Sequence, residues 1–182
     1  MRKLSIGVSV LLVALVASPA SAQPVQPDLR DGARELSIHV SPDFEGAIGD
    51  MLDARAGFGL FVRDGLSARA TLAYAVLEDV AGEDSDYRMS QLTLAAEYHL
   101  RRETRLVPYV GFGAGWRSSH FADLEESALV YGPRAGVKYF LADNVALDFE
   151  IIYELSPAEV FVNDFVAEDA DISSGIGLRV LF

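Results

Sequence analysis

The sequence predicts an all-β fold: an eight-stranded antiparallel up-and-down transmembrane β-barrel with four long extracellular loops and three short periplasmic turns. Three observations lead there. Apolar and polar residues alternate with period two from Arg34 to the end, the pattern of a strand with two unlike faces. The breaks between runs alternate between long and short. The N-terminus carries an export signal.

The export signal fixes what belongs to the fold. Arg2 and Lys3 precede an apolar run from Leu4 to Val16, and Ala20-Ser21-Ala22 supplies the small-x-small cleavage pattern. Residues 1–22 are therefore expected to be a signal peptide cleaved near Ala22. The run is too short for a spanning helix, which needs about 20 residues. Residues 23–33, with Pro24, Pro27 and Gly32, have no periodicity and read as a short N-terminal tail. The barrel is expected over 34–182.

Eight strands follow, at about 34–41, 51–62, 66–78, 87–100, 104–118, 128–140, 144–155 and 171–182. The first looks short and has room to run past Pro42. Most have the roughly 9–11 residues that cross a bilayer at a tilt. Tight turns are expected at Arg63-Asp64-Gly65, Arg101-Arg102-Glu103 and Leu141 to Asp143, and long loops near 42–50, 79–86, 119–127 and 156–170.

Alternate residues sort into two chemical faces. One is apolar throughout, for example Leu36, Ile38 and Val40, or Val145, Leu147, Phe149, Ile151 and Tyr153. The other carries the charges: Glu35, Asp53, Glu97, Asp148, Glu150 and Glu154 against Arg55, Arg69, Arg117, Arg134, Lys138 and Arg179. It also carries glycines such as Gly111, Gly113, Gly136 and Gly177, and the histidines His39 and His99. Alternation alone fits a soluble barrel with the apolar face inside as well as a membrane barrel with it outside.

Four details favour the membrane arrangement. Glycine weakens a solvated strand but makes room in a narrow lumen. Six acids matching six bases is what buried charges require. Aromatics on the apolar face fall into two girdles, Tyr98, Tyr139 and Phe182 toward the turns and Tyr74, Trp116, Tyr131 and Tyr153 toward the loops. The last residue, Phe182, lies on the apolar face.

Net charge is −12; loss of Arg2 and Lys3 with the signal takes away two positive charges and leaves −14. Nucleic acid is therefore excluded as a partner. The chain has no cysteine, so no disulfide and no lipidated N-terminal cysteine hold it.

The run Pro108-Tyr109-Val110-Gly111-Phe112-Gly113-Ala114-Gly115-Trp116 and the ending Gly175-Ile176-Gly177-Leu178-Arg179-Val180-Leu181-Phe182 resemble the fifth and last strands of the OmpA/OmpX-type small outer-membrane barrels, the porin-like outer-membrane β-barrel family. The resemblance is one of pattern and covers the mature chain. It implies an outer-membrane location and contact with outer-membrane lipid and lipopolysaccharide. It implies that Phe182 belongs to the signal read by the barrel-assembly machinery. The chain ends with the barrel, so wall anchoring through the peptidoglycan-binding domain of full-length OmpA is not expected.

Three functions compete. A structural or surface-interaction protein would use the charge network to fix and plug the lumen. A narrow ion or small-solute pore would need that network to rearrange. A lipid A-modifying enzyme would need a nucleophile and base, for which Ser118-Ser119-His120 with Asp123 is the only loose grouping. The first is favoured and no enzyme activity, cofactor or metal site is expected. Loop acids (Asp79, Glu83, Asp84 and Asp86; Asp123, Glu125 and Glu126; Glu159, Asp164, Glu168 and Asp169) lack the spacing of a calcium loop and read as solvating charge. In loop 156–170, Val160-Phe161-Val162 and Phe165-Val166 flank Asn163-Asp164, a candidate hairpin turn. It would either bind a surface protein by strand addition or pack on its own rim. A monomer is expected.

Overall fold

The computed structural model describes residues 25–27, 29–43, 51–77, 87–100, 104–121, 124–163 and 166–182. The signal peptide, the Arg101–Glu103 turn, the acids Asp79, Glu83, Asp84 and Asp86, and Asp123 and Asp164 lie outside them. Ten strands are described: β1 (Arg34–Asp43), β2 (Met51–Arg63), β3 (Leu66–Leu77), β4 (Tyr87–His99), β5 (Leu106–Phe121), β6 (Leu124–Ala142), β7 (Val145–Leu155), β8 (Phe161–Asn163), β9 (Val166–Glu168) and β10 (Ala170–Leu181). Eight of them form a closed antiparallel barrel in the order β1-β10-β7-β6-β5-β4-β3-β2. Closure leaves no edge, which is the condition for crossing lipid with strands. No described helix is long and apolar enough to cross a membrane.

Local chemistry explains the turns. Asp64-Gly65 joins β2 to β3, and Gly65 takes φ 72°, a backbone region glycine enters without penalty. Asp143-Asn144 joins β6 to β7. Beyond its expected end, β1 runs through Pro42 to Asp43, paired with Met51.

Two expected loops differ. The long loop at 119–127 is mostly strand: β5 and β6 stay paired from Ser118↔Ser127 to Phe121↔Leu124, leaving only residues 122–123 between them. Ser, His and Glu occupy both faces there, so the hydrophobic alternation that marks a strand in lipid is lost although the ladder continues. In the fourth loop a short hairpin forms apart from the barrel strands. β7 stops at Leu155, before Pro157, which cannot donate to a ladder. β8 and β9 pair only with each other. Asn163 pairs with Val166, so Asn163 belongs to the ladder rather than to the expected turn.

The two faces point as their chemistry requires. Leu36, Ile38, Leu72, Leu94, Phe112, Ile151, Ile172 and Ile176 are exposed on the outer wall. Glu35, His39, Arg69, Glu97, Lys138, Asp148 and Arg179 are buried inside. The polar core and apolar surface invert the arrangement of a water-soluble protein.

Candidate functional site in the barrel lumen

The lumen is filled in three tiers. At the turn end, Phe61, Val107, Phe140, Ala146 and Leu181 point inward and enclose Leu29, with Val25 and Ala33 packed against them. Residues 25–33 are thus not a free tail. Gly32 donates to the Phe61 carbonyl (2.8 Å) and Gly65 to the Leu29 carbonyl (2.9 Å). The Gln26 amide bonds Asp143 Oδ1 (2.9 Å). These ties hold the segment across the end of the barrel.

The middle tier is ionic, centred on Arg179. Its guanidinium donates to Glu35 Oε1 (2.7 Å) and Glu97 Oε2 (3.0 Å) through Nη1, to Asp148 Oδ2 (2.8 Å) through Nε, and to the Tyr109 hydroxyl (2.7 Å) through Nη2. One planar fork thus reaches three carboxylates on three other strands, geometry that arginine supplies and lysine does not. Lys138 Nζ bonds Glu35 Oε2 (2.5 Å), and His39 Nε2 lies 2.6 Å from Asp148 Oδ2. Arg69 bonds Glu150 (2.8 Å) and lies 3.2 Å from Glu97. Arg134 approaches Glu150 (3.6 Å) and Glu97 (3.9 Å). Four acids and four bases are joined here, and each of the eight is at most 4% exposed. Glycines admit the large groups. A Cβ on Gly136 would overlap the Tyr109 ring, and one on Gly177 would overlap the His39 ring.

Toward the loop end, Arg55 bonds Asp53 (2.8 Å) and Gln91 donates to Glu154 (2.7 Å). Arg117 lies over the ring of Phe161, 4.5 Å from its centroid. Phe161 and Val160 are buried against Ala128 and Val130, inward-facing residues of β6. Ser119 Oγ donates to the Val160 carbonyl (2.9 Å). The start of the β8–β9 hairpin therefore folds into the barrel mouth, which removes Val160 and Phe161 from any outward-facing surface.

All twelve charges singled out from the sequence lie on the inner side, in different settings. Glu35, Glu97, Asp148, Glu150, Arg69, Arg134, Lys138 and Arg179 form one cluster, Arg55 and Asp53 a local pair, and Glu154 and Arg117 the upper wall. Sequence reasoning passed over Tyr109, Phe61, Val107, Phe140 and Leu29. The first four share the inward parity of the charges and could have been found by it; Leu29 lies in an aperiodic stretch. Outside, Tyr98, Tyr139 and Phe182 are exposed near the turns, and Tyr74, Trp116, Tyr131 and Tyr153 near the loops. Ser119 is buried while His120 is exposed, and Ser118 takes the Ser127 hydroxyl bond (2.9 Å). Ser119 and His120 thus point to opposite faces, while Ser118 shares the face of His120.

A closed eight-strand barrel, apolar outside and ionic inside, defines a small integral outer-membrane protein. The sequence matches the family described as outer membrane protein beta-barrel domain over residues 8–177. The chain belongs to this family and resides in the outer membrane. No match was found among curated proteins. Among solved structures it is similar to Neisserial surface protein A (NspA; TM-score 0.59, 16% identity, 82% of this chain and 96% of that one). It is also similar to the N-terminal β-barrel domain of Pseudomonas aeruginosa OprF (TM-score 0.57, 19% identity, 84% and 98%). Yersinia pestis Ail in a phospholipid bilayer nanodisc gives TM-score 0.54 at 16% identity, covering 84% and 100%. At these identities the likeness is one of fold.

Proposed function

We propose that this protein is a structural or surface-interaction component of the outer membrane whose lumen is plugged rather than conducting. The observation that supports this reading most is the Arg179 cluster, which ties β1, β4, β7 and β10 together across the lumen. A solute of any size would have to break several charge-assisted bonds in a space closed to solvent, each stronger than a neutral hydrogen bond. The Leu29 and Phe161 clusters add an apolar barrier at either end.

In this reading the girdle residues Tyr74, Trp116, Tyr131 and Tyr153 on one side and Tyr98, Tyr139 and Phe182 on the other sit at the lipid and lipopolysaccharide headgroup levels. Phe182 at the end of the last strand is the feature offered to the barrel-assembly machinery. Any surface partner meets the protruding β5–β6 hairpin and the outer side of loop 156–170. The protein works as a monomer and carries out no chemistry.

Planar-bilayer conductance of the detergent-folded protein tests the plug. The expected record has no large, stable single-channel steps. Such steps in the wild-type protein would favour the narrow-pore reading instead. If removal of residues 158–168 leaves cell adhesion and co-purifying proteins unchanged, that loop is not the interaction surface.

A further inference from the structure

Between the Arg179 cluster and the Phe161 cap lies a cavity of about 20 Å³, walled by Arg55, Arg69, Thr71, Arg117, Arg134 and Glu154 among others. That volume holds one or two particles the size of water. Several of its wall groups carry buried donors without a hydrogen-bond partner among the described residues. They are Arg69 Nη1, Arg117 Nε, Arg134 Nε and Nη1, and the Thr71 hydroxyl. Their residues are 3%, 7%, 4% and 8% exposed respectively, so bulk water does not satisfy them. Buried guanidinium donors left open are costly and point to an occupant of the cavity.

The chemistry of the wall identifies the occupant. The lining sets four arginines, Arg55, Arg69, Arg117 and Arg134, against two acids, Glu150 and Glu154. Asp53 and Glu97 stand behind it, Asp53 on Arg55 and Glu97 shared among Arg69, Arg134 and Arg179. The open groups of the lining are mostly N–H donors, which suits a particle that only accepts hydrogen bonds; water must also donate two. Size excludes sulfate and phosphate, each built from four oxygens around a centre.

We propose that this cavity is a binding site for a single small monovalent anion, with chloride as the physiological occupant. The site is internal and stabilising. The ion accepts from the open donors of the arginines that line the chamber, and it does not pass through.

The test uses the full chain folded in detergent. Crystals soaked in sodium bromide are expected to show one anomalous peak among Arg69, Arg117 and Arg134; absence of that peak overturns the proposal. In parallel, the melting midpoint is followed in sodium bromide or chloride against sodium gluconate at equal ionic strength. Halide, but not gluconate, should raise the midpoint in a saturable way, as a ligand of the folded state does. Arg117→Gln should raise the half-saturating halide concentration at least about tenfold, the loss of one charge-assisted contact. Glu154→Gln should lower it, because it removes a repelling charge. Opposite shifts in the two variants are required, since a general salt effect moves both alike. Equal midpoints in halide and gluconate mean the cavity holds water only. A halide effect unchanged in both variants places the ion elsewhere, and either result refutes the site. Should Arg117→Gln lose its heat-shifted gel band, Thr71→Val takes its place, with weaker halide binding expected at unchanged charge.

Discussion

Replacing Arg179 with methionine removes the group that meets three carboxylates at once. Methionine keeps much of the aliphatic stem, so packing loss is small and charge loss dominates. Four joined acids then face three bases. Glu35 still holds Lys138, Asp148 still faces His39, and Glu97 keeps only Arg69 at 3.2 Å and Arg134 at 3.9 Å. Breaking a buried pair by removing one partner costs about 3–5 kcal/mol. With Arg179 fully buried and serving three acids, the upper end of that range is expected. Urea unfolding in lipid vesicles, followed by the heat-dependent gel shift, measures it. Adding Glu97→Gln to Arg179→Met should recover stability, with a coupling energy above about 1 kcal/mol. Arg179→Lys should rescue only in part, because an ammonium is not a planar fork. A loss below about 1 kcal/mol, typical of exposed ion pairs, would mean the lumen is wet enough to screen these charges, and the plugged-lumen argument would fail.

Two further outcomes are expected. Leu29→Ala should cost about 2–4 kcal/mol, the usual range for truncating a fully packed leucine, read from the same unfolding curves; a negligible cost would mean the N-terminal segment is not anchored in the barrel end. Gly136→Ala should cost about 1–3 kcal/mol through overpacking against the Tyr109 ring, and combining it with Tyr109→Phe, which removes only the hydroxyl, should relieve part of that loss.

Much of the barrel was legible in the sequence because the period of a strand is two. A single misplaced residue would have put Glu97 or Lys138 into lipid, so the charges and the apolar residues mark opposite faces without ambiguity. The ionic cluster was legible as a set, since every member shares one parity, but its pairings were not. Which acid meets Arg179 depends on the stagger of strands around the barrel, and that stagger has no local signature. The features that escaped are those without periodicity. Leu29 sits between proline and glycine in a stretch resembling any polar tail. Val160 and Phe161 read as part of an apolar hairpin that either protrudes or packs on its own rim, because sequence shows that a segment is apolar but not which surface covers it. The extension of β5 and β6 past Ser118 was hidden for the opposite reason, its residues being polar on both sides.

The partners in the lumen are far apart along the chain. Glu35 lies on the first strand and Arg179 on the last, 144 residues apart. Until β10 docks between β7 and β1, Glu35, Glu97 and Asp148 lack their shared counter-ion while their strands already face lipid on the other side. Charged groups are costly at that depth, so a partly assembled sheet has little to stabilise it, and the long span between partners makes assembly slow. The central arginine is therefore expected to couple insertion to closure, and a chain cut short before residue 179 should accumulate as an unclosed form rather than as a smaller barrel.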